Sequence, residues 1–331
     1  MFKNFIATLS YIKNKPSLFH NYLLPDIKPA VKIFVYLRRI LQIKDYFSRK
    51  KLANKYKENK ILNQQGFLNL QNKSLKNNLQ KISKRIFKEF NKQDLKDLEK
   101  KSRKPFLINK SIDLSEKKNL DILLLIMDKN IIGPISKYLN QIPILIDASI
   151  MYSPNKIFEK GRSQEYHLDG EDLKQIKLWI PLKKIDKNNG PLTVIKKIDS
   201  NKIYKELFKI KCKKALGIPL RNQKLEDKIV LKNKPTESKL IGDQKNIFFV
   251  DTSNCYHYGS RPSKNSKPRF LLSLHFITNQ SRVIPLWNKK VNVLEELKIK
   301  KFKNIENNKI FQKIFEYYLI NKNKKFYRYS G

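Results

Sequence analysis

Cysteine and histidine are both scarce in this chain, with two of the former and four of the latter in 331 residues. Cys212 and Cys255 lie far apart and in no metal-ligand spacing, which excludes a disulfide framework and a zinc knuckle and suits a reducing compartment. Any site built on imidazole must draw on His20, His167, His257 and His275. Acidic residues are under-represented too: 29 Asp and Glu stand against 71 Lys and Arg, a formal net charge of +42. Long apolar runs are missing. The longest uninterrupted one, Ile122–Met127, is far short of a bilayer span, and Met1–Ile12 lacks a small-residue cleavage site, so a cytoplasmic protein is expected.

What is present suffices for a packed core, since 40% of residues are hydrophobic and Phe and Tyr are abundant. The length suits one large catalytic domain with helical additions. The positive charge is mostly lysine, spread among Asn and Ile, and lysine is a point charge without the planar fork of arginine. A diffuse attraction for anionic small molecules is therefore expected, with no specific nucleic-acid site.

Between Lys28 and Lys60, Val31, Phe34, Val35, Leu37, Ile40 and Leu41 recur at near-helical spacing. A helix packed on the core with a solvated lysine face is expected, in preference to a membrane-surface helix. Gly66–Leu70 reads as a short strand, Ser74–Phe90 as a helix that Ser74 could cap, and Asp121–Leu139 as a helix broken at Gly133–Pro134. Ile142–Tyr152 is β-branched and suits a buried strand, and strand-like runs return over Tyr166–Val194 and Ile247–Ile277. Lys196–Asp243 should hold a helix and a surface loop, and Val293–Leu319 a helix. No internal repeat is visible.

In Gln164-Glu165-Tyr166-His167-Leu168-Asp169, the His and the Asp stand two apart, so on a strand an imidazole and a carboxylate share one face. A third donor, His257, follows the apolar run Asn246–Asp251 after a long gap. Two histidines and one carboxylate form the facial set that binds iron(II) with open positions opposite. Roughly a dozen residues further on, Arg269 opens a run in which Arg269, Leu271, Ser273 and His275 share a face. Buried guanidinium needs an anion, and the distal carboxylate of 2-oxoglutarate would be a bidentate partner; a core Asp or Glu is the alternative. His275 is either a substrate-contact residue or a plain core histidine, Cys255 a small buried apolar residue, and His20 an ordinary surface or packing histidine.

The order His-x-Asp, long gap, His, then Arg resembles the phytanoyl-CoA dioxygenase family of iron(II)- and 2-oxoglutarate-dependent oxygenases. Lys177-Leu178-Trp179-Ile180-Pro181-Leu182, leading into Asp186-Lys187-Asn188-Asn189-Gly190-Pro191-Leu192, is similar to the family's strand and turn after the first two ligands. The resemblance runs from about Gln65 to Ile277. It implies His167, Asp169 and His257 as metal ligands and catalytic residues, Arg269 as the co-substrate anchor, Trp179 as a lining residue of that pocket, and Ser260 as a further contact. The interval from His257 to Arg269 is slightly longer than is usual in the family, which makes Arg261 a rival anchor. Retention of Asp169 disfavours halogenation.

The implied fold is mainly β with flanking helices, a double-stranded β-helix of jelly-roll, cupin-like type. A basic helical extension over 1–62, an oxygenase domain over 63–280 and a helical tail over 281–331 are expected. The implied activity is hydroxylation of a small, anionic metabolite with dioxygen, releasing succinate and carbon dioxide. A competing expectation is a basic nucleic-acid- or membrane-binding protein on a non-catalytic jelly-roll scaffold, and peripheral membrane contact stays open in either case.

Overall fold

The structure is a computed structural model that describes residues 28–322 except 73, 91–94, 96, 98, 101, 103, 157–161, 214–222, 265, 285–291 and 300–301. His20 and the first twelve residues lie outside the described residues, as does the side chain of Cys212.

Two antiparallel sheets form the centre. The larger contains β1 (Phe67–Gln71), β2 (Ile108–Ser111), β3 (Ile144–Ser153), β4 (Gln175–Pro181), β7 (Asn246–Val250) and β9 (Arg269–Ile277), in the order β1-β7-β4-β9-β3-β2. The smaller consists of β5 (Leu192–Ile195), β6 (Glu237–Leu240) and β8 (His257–Tyr258), ordered β6-β5-β8. Strand alternation gives the large sheet two different faces. Ile176, Leu178, Ile180, Ile247, Phe249, Leu272, Leu274 and Phe276 point outward and join the main apolar cluster with the helices. On the other face Trp179, Phe248, Val250 and Leu271 meet Ile185, Val194 and Leu240 of the smaller sheet and its approaches.

Helices cover the outer face. They include α1 (Lys28–Leu41), α2 (Ile43–Ala53), α3 (Lys60–Gln65), α4 (Lys76–Glu89), α5 (Leu120–Ile126) and α6 (Lys129–Leu139) from the first half of the chain. Later come α7 (Lys197–Lys213) and α8 (Gln223–Lys232), which pack against the smaller sheet through Ile203, Leu207, Ile229 and Val230, and then α9 (Val293–Glu296) and α10 (Ile305–Lys322), which join the main cluster. Leu52 and Ala53 near the start share the main cluster with Phe311, Ile314 and Phe315 near the end. Arg49, fully buried, ties these ends by pairing with Asp45 and Glu316 and donating to the carbonyls of Ile142 and Lys313.

Local signals explain several boundaries. Asn59 caps α3 by accepting from Leu62 N at 3.0 Å, and Gly66, at φ +80°, closes it and starts β1. Ser74 does not cap α4; Leu75 stands at that position and the Ser74 hydroxyl donates to Asn72 instead. The helix expected over Asp121–Leu139 breaks at Met127–Asp128 and not at Gly133–Pro134, because Asp128 accepts from Asn130 N at 2.8 Å and starts a new helix that carries Pro134 inside it. The solvated face of α1 is apolar where lysine was expected: Val31 and Val35 are buried, while Leu37, Ile40 and Leu41 face solvent.

Candidate active site

His167 and His257 meet where the chain after β3 crosses the smaller sheet. His167 and His257 form an isolated antiparallel bridge, with His167 N donating to His257 O at 3.1 Å and His257 N to His167 O at 3.2 Å. Asp169, two residues on, is held by its N–H on Thr252 O at 2.8 Å. As the i, i+2 spacing requires, the His167 ring and the Asp169 carboxylate then converge on the His257 ring. The two imidazole centroids are 4.4 Å apart, and Asp169 lies 3.8 Å from His167 Nε2 and 3.7 Å from His257 Nε2. These three side chains can offer ligand atoms all within 4.8 Å of one another.

Donor chemistry fits a metal ion. Each imidazole sets its Nδ1 against a backbone carbonyl two residues earlier, His167 on Glu165 O at 2.8 Å and His257 on Cys255 O at 2.9 Å. A carbonyl only accepts, so Nδ1 carries the proton and Nε2 is the basic nitrogen turned toward Asp169. Ligand atoms on one ion at right angles sit about 3 Å apart; the two Asp169–His separations, 3.8 and 3.7 Å, are within one ångström of that, in a group whose ligand atoms all lie within 4.8 Å. Burial pushes the Asp169 carboxyl up, but Lys177, His257 and His167 outweigh it and hold it well below the usual carboxylate range. His257 is pushed down by burial, with Asp169 opposing, which favours its neutral, ligating form.

Arg269 enters from the first residue of β9. Its side chain is buried, donating through Nη1 to Gly190 O and through Nη2 to Ser153 Oγ at 3.0 Å and Ser260 Oγ at 2.9 Å. All three acceptors are neutral. Nε has no partner, and no carboxylate among the described residues pairs with this guanidinium. Burial alone pushes it down to about 10. The acceptor carbonyl is presented by a turn in which Asn189 Oδ1 accepts from Asp186 N at 2.8 Å and Gly190 adopts φ +62°. Ser260, itself at φ +60°, bonds Ser153 Oγ at 2.8 Å, so both hydroxyls are fixed beside the guanidinium.

Arg261 is used elsewhere. Its guanidinium stacks 3.5 Å from the centroid of Tyr258, pairs with Asp227 at 3.2 Å and donates to Gln164 O. Trp179 is buried on the inner face, with Nε1 donating to Met151 Sδ at 3.1 Å. Cys255 is wholly buried.

Sequence reasoning passed over Lys177. It is the inner-face neighbour of Trp179 on β4 and donates to Asp169 Oδ2 at 2.7 Å. Pairing in the sheet aligns Lys177 with His275 and His275 with Asp147, so one polar row crosses three strands. His275 is buried, its Nε2 has no partner, and burial, followed by Lys177, pushes its pKa down to about 4, leaving a neutral ring. Glu171, bonded to Gln175 Nε2 at 3.1 Å, faces the same group. The signal was available: Lys177 shares the alternation that places Trp179 inward.

No protein-family model matches the chain, and no curated protein matches it. Solved structures do resemble it. EctD from S. alaskensis, with 2-oxoglutarate and 5-hydroxyectoine, aligns at 17% identity and TM-score 0.46 over 66% of this chain and 74% of its own. The epimerase SnoN, in complex with Fe3+, alpha ketoglutarate and nogalamycin RO, aligns at 10% identity and TM-score 0.44 over 72% and 86%. HygX from Streptomyces hygroscopicus, with nickel and 2-oxoglutarate, gives 13% identity and TM-score 0.42 over 71% and 91%. At these scores the chemistry of this chain has to be read from its own residues.

Proposed function

We propose that this chain is an iron(II)- and 2-oxoglutarate-dependent oxygenase similar to phytanoyl-CoA dioxygenase, hydroxylating a small, anionic metabolite with release of succinate and carbon dioxide. The observation that carries the reading is Arg269, a buried cation with only neutral acceptors, placed on the inner face that the His167–Asp169–His257 group also faces. A desolvated charge without a counter-ion is costly, and a bound dicarboxylate removes that cost. The competing reading, a non-catalytic scaffold, has no use for such a residue.

His167, Asp169 and His257 would hold the metal, which supplies dioxygen activation when bound. The chain's own residues do the rest. Lys177 orients the Asp169 carboxylate by holding Oδ2. Arg269, Ser153 and Ser260 would grip the distal carboxylate of 2-oxoglutarate, with Trp179 lining that pocket. Lys177, His275, Asp147 and Glu171 offer donors and acceptors for a polar substrate near the metal. The net charge of +42 supports an anionic one by attraction at a distance. A double-stranded β-helix over 63–280 and a cytoplasmic location belong to the same reading.

The test is spectroscopic. Anaerobic iron(II) with 2-oxoglutarate should give the weak visible charge-transfer band of a chelated keto acid, and His167→Ala, Asp169→Ala and His257→Ala should each weaken or abolish it. An undiminished band in all three variants sinks the ligand assignment.

A further inference from the structure

Helix α1 is held to the body by one side only. Val31 and Val35 are buried and pack with Leu173, and Arg38 Nη1 donates to Ser281 O. The opposite side carries Ile33, Tyr36, Leu37, Ile40 and Leu41, each 52–68% exposed. At 3.6 residues per turn these five fall within an arc of about 140°, so they form one continuous apolar stripe. Phe47, on α2 just past the break at Gln42, is likewise exposed, at 57%. Scattered exposed apolar residues need no explanation, but a contiguous stripe marks a surface that meets something.

The charge says what. Lys32 and Arg39 border the stripe on one edge, Lys44 and Lys51 flank Phe47, and the chain as a whole carries +42. A second copy docked on this face would bring one strongly positive body against another. An anionic lipid surface satisfies both the apolar stripe and the charge. No helix among the described residues is long and apolar enough to cross a membrane, so the contact is one of lying on the bilayer.

We propose that α1 and the start of α2 dock on an anionic bilayer, with Ile33, Tyr36, Leu37, Ile40, Leu41 and Phe47 entering the headgroup boundary and the bordering lysines and arginines meeting lipid phosphates. The side of α1 opposite the stripe stays on the protein. This contact is independent of the metal-site reading and stands or falls without it.

Flotation of the full chain with vesicles tests it, using pure phosphatidylcholine and phosphatidylcholine with about one-third phosphatidylglycerol. Binding to the anionic vesicles should exceed binding to the neutral ones at least tenfold. The double substitution Leu37→Asn, Ile40→Asn leaves net charge unchanged, alters only exposed side chains and should lower the anionic-vesicle partition at least tenfold, with an unchanged unfolding midpoint. The proposal is overturned if wild-type protein fails to float with anionic vesicles, or if the double variant floats as well as wild type, which would mean that charge alone holds it. Sedimentation supplies the third arm: a wild-type dimer that the double variant dissociates, without lipid binding, would show that a second copy covers the stripe.

Discussion

Replacing Arg269 by methionine separates the buried cation's two effects. In the unliganded protein the guanidinium is desolvated and bonded to Gly190 O, Ser153 and Ser260, all neutral. Methionine fills similar volume without a charge, and the two serine hydroxyls already bond each other at 2.8 Å. Stability without co-substrate should therefore stay within about 1 kcal/mol of wild type, as for other buried charges exchanged for apolar residues. With 2-oxoglutarate the outcome differs. Losing the partner of a buried charge costs about 3–5 kcal/mol, about a hundred-fold or more in affinity. At a ligand concentration of about 100 times the wild-type dissociation constant, binding adds about 2.7 kcal/mol of stability; a hundred-fold weaker variant at that concentration gains only about 0.4 kcal/mol. Urea unfolding of the iron-loaded, anaerobic protein with and without 2-oxoglutarate reads both numbers. Arg261→Met should show the opposite pattern, losing about 1–2 kcal/mol of stability with its Tyr258 stack and Asp227 pair while keeping the ligand increment. An intact increment in Arg269→Met, or its loss in Arg261→Met, would refute the assignment of the anchor.

Gly190→Ala should weaken 2-oxoglutarate binding and stability together. Its φ of +62° costs a side-chain-bearing residue about 1–2 kcal/mol, and the added carbon would meet the Arg261 backbone N at 2.7 Å, in the turn whose carbonyl receives Arg269; an unchanged affinity by calorimetry would contradict this. Arg49→Met should destabilise by about 3–5 kcal/mol in urea, because Glu316 is left without its buried partner; a loss under about 1 kcal/mol would show that the pair contributes little. Raising salt from about 0.05 to 0.2 M should raise the apparent Michaelis constant several-fold with the saturated rate little changed, since screening weakens exposed charges far more than a buried site. A steep salt-dependent affinity for generic RNA without succinate formation would count against an enzyme.

The metal-ligand candidates were legible because histidine is rare and the two-residue spacing has a geometric consequence on extended chain. Arg269 was legible by the same alternation. Lys177 shares that alternation but is easily passed over, since one lysine among so many positive residues reads as solvated until sheet pairing puts it beside Asp169. Competition between Arg261 and Arg269 could not be weighed from spacing, because what bears on it, the Tyr258 stack and the Asp227 pair, is brought to Arg261 only by the folded chain. The helix break was misplaced because Pro134 is the louder signal, whereas the cap at Asp128 is what starts the new helix. Periodicity identified α1, but Val31 and Val35 are as apolar as Leu37 and Ile40, so the pattern could not say which side docks.

The strand order of the large sheet bears on how the molecule comes into being. β9 is the last strand among the described residues, yet it lies between β4 and β3, which do not pair with each other. Until the ribosome has released residue 277, β1, β7 and β4 can form one ribbon and β3 and β2 another, each with an open edge turned toward the gap. Open edges of that kind recruit other chains. Arg269 arrives with the same strand, so the strand that joins the halves also delivers the proposed co-substrate anchor. A nascent chain truncated before β9 should aggregate through those edges, whereas one ending just beyond it has everything the sheet needs to join.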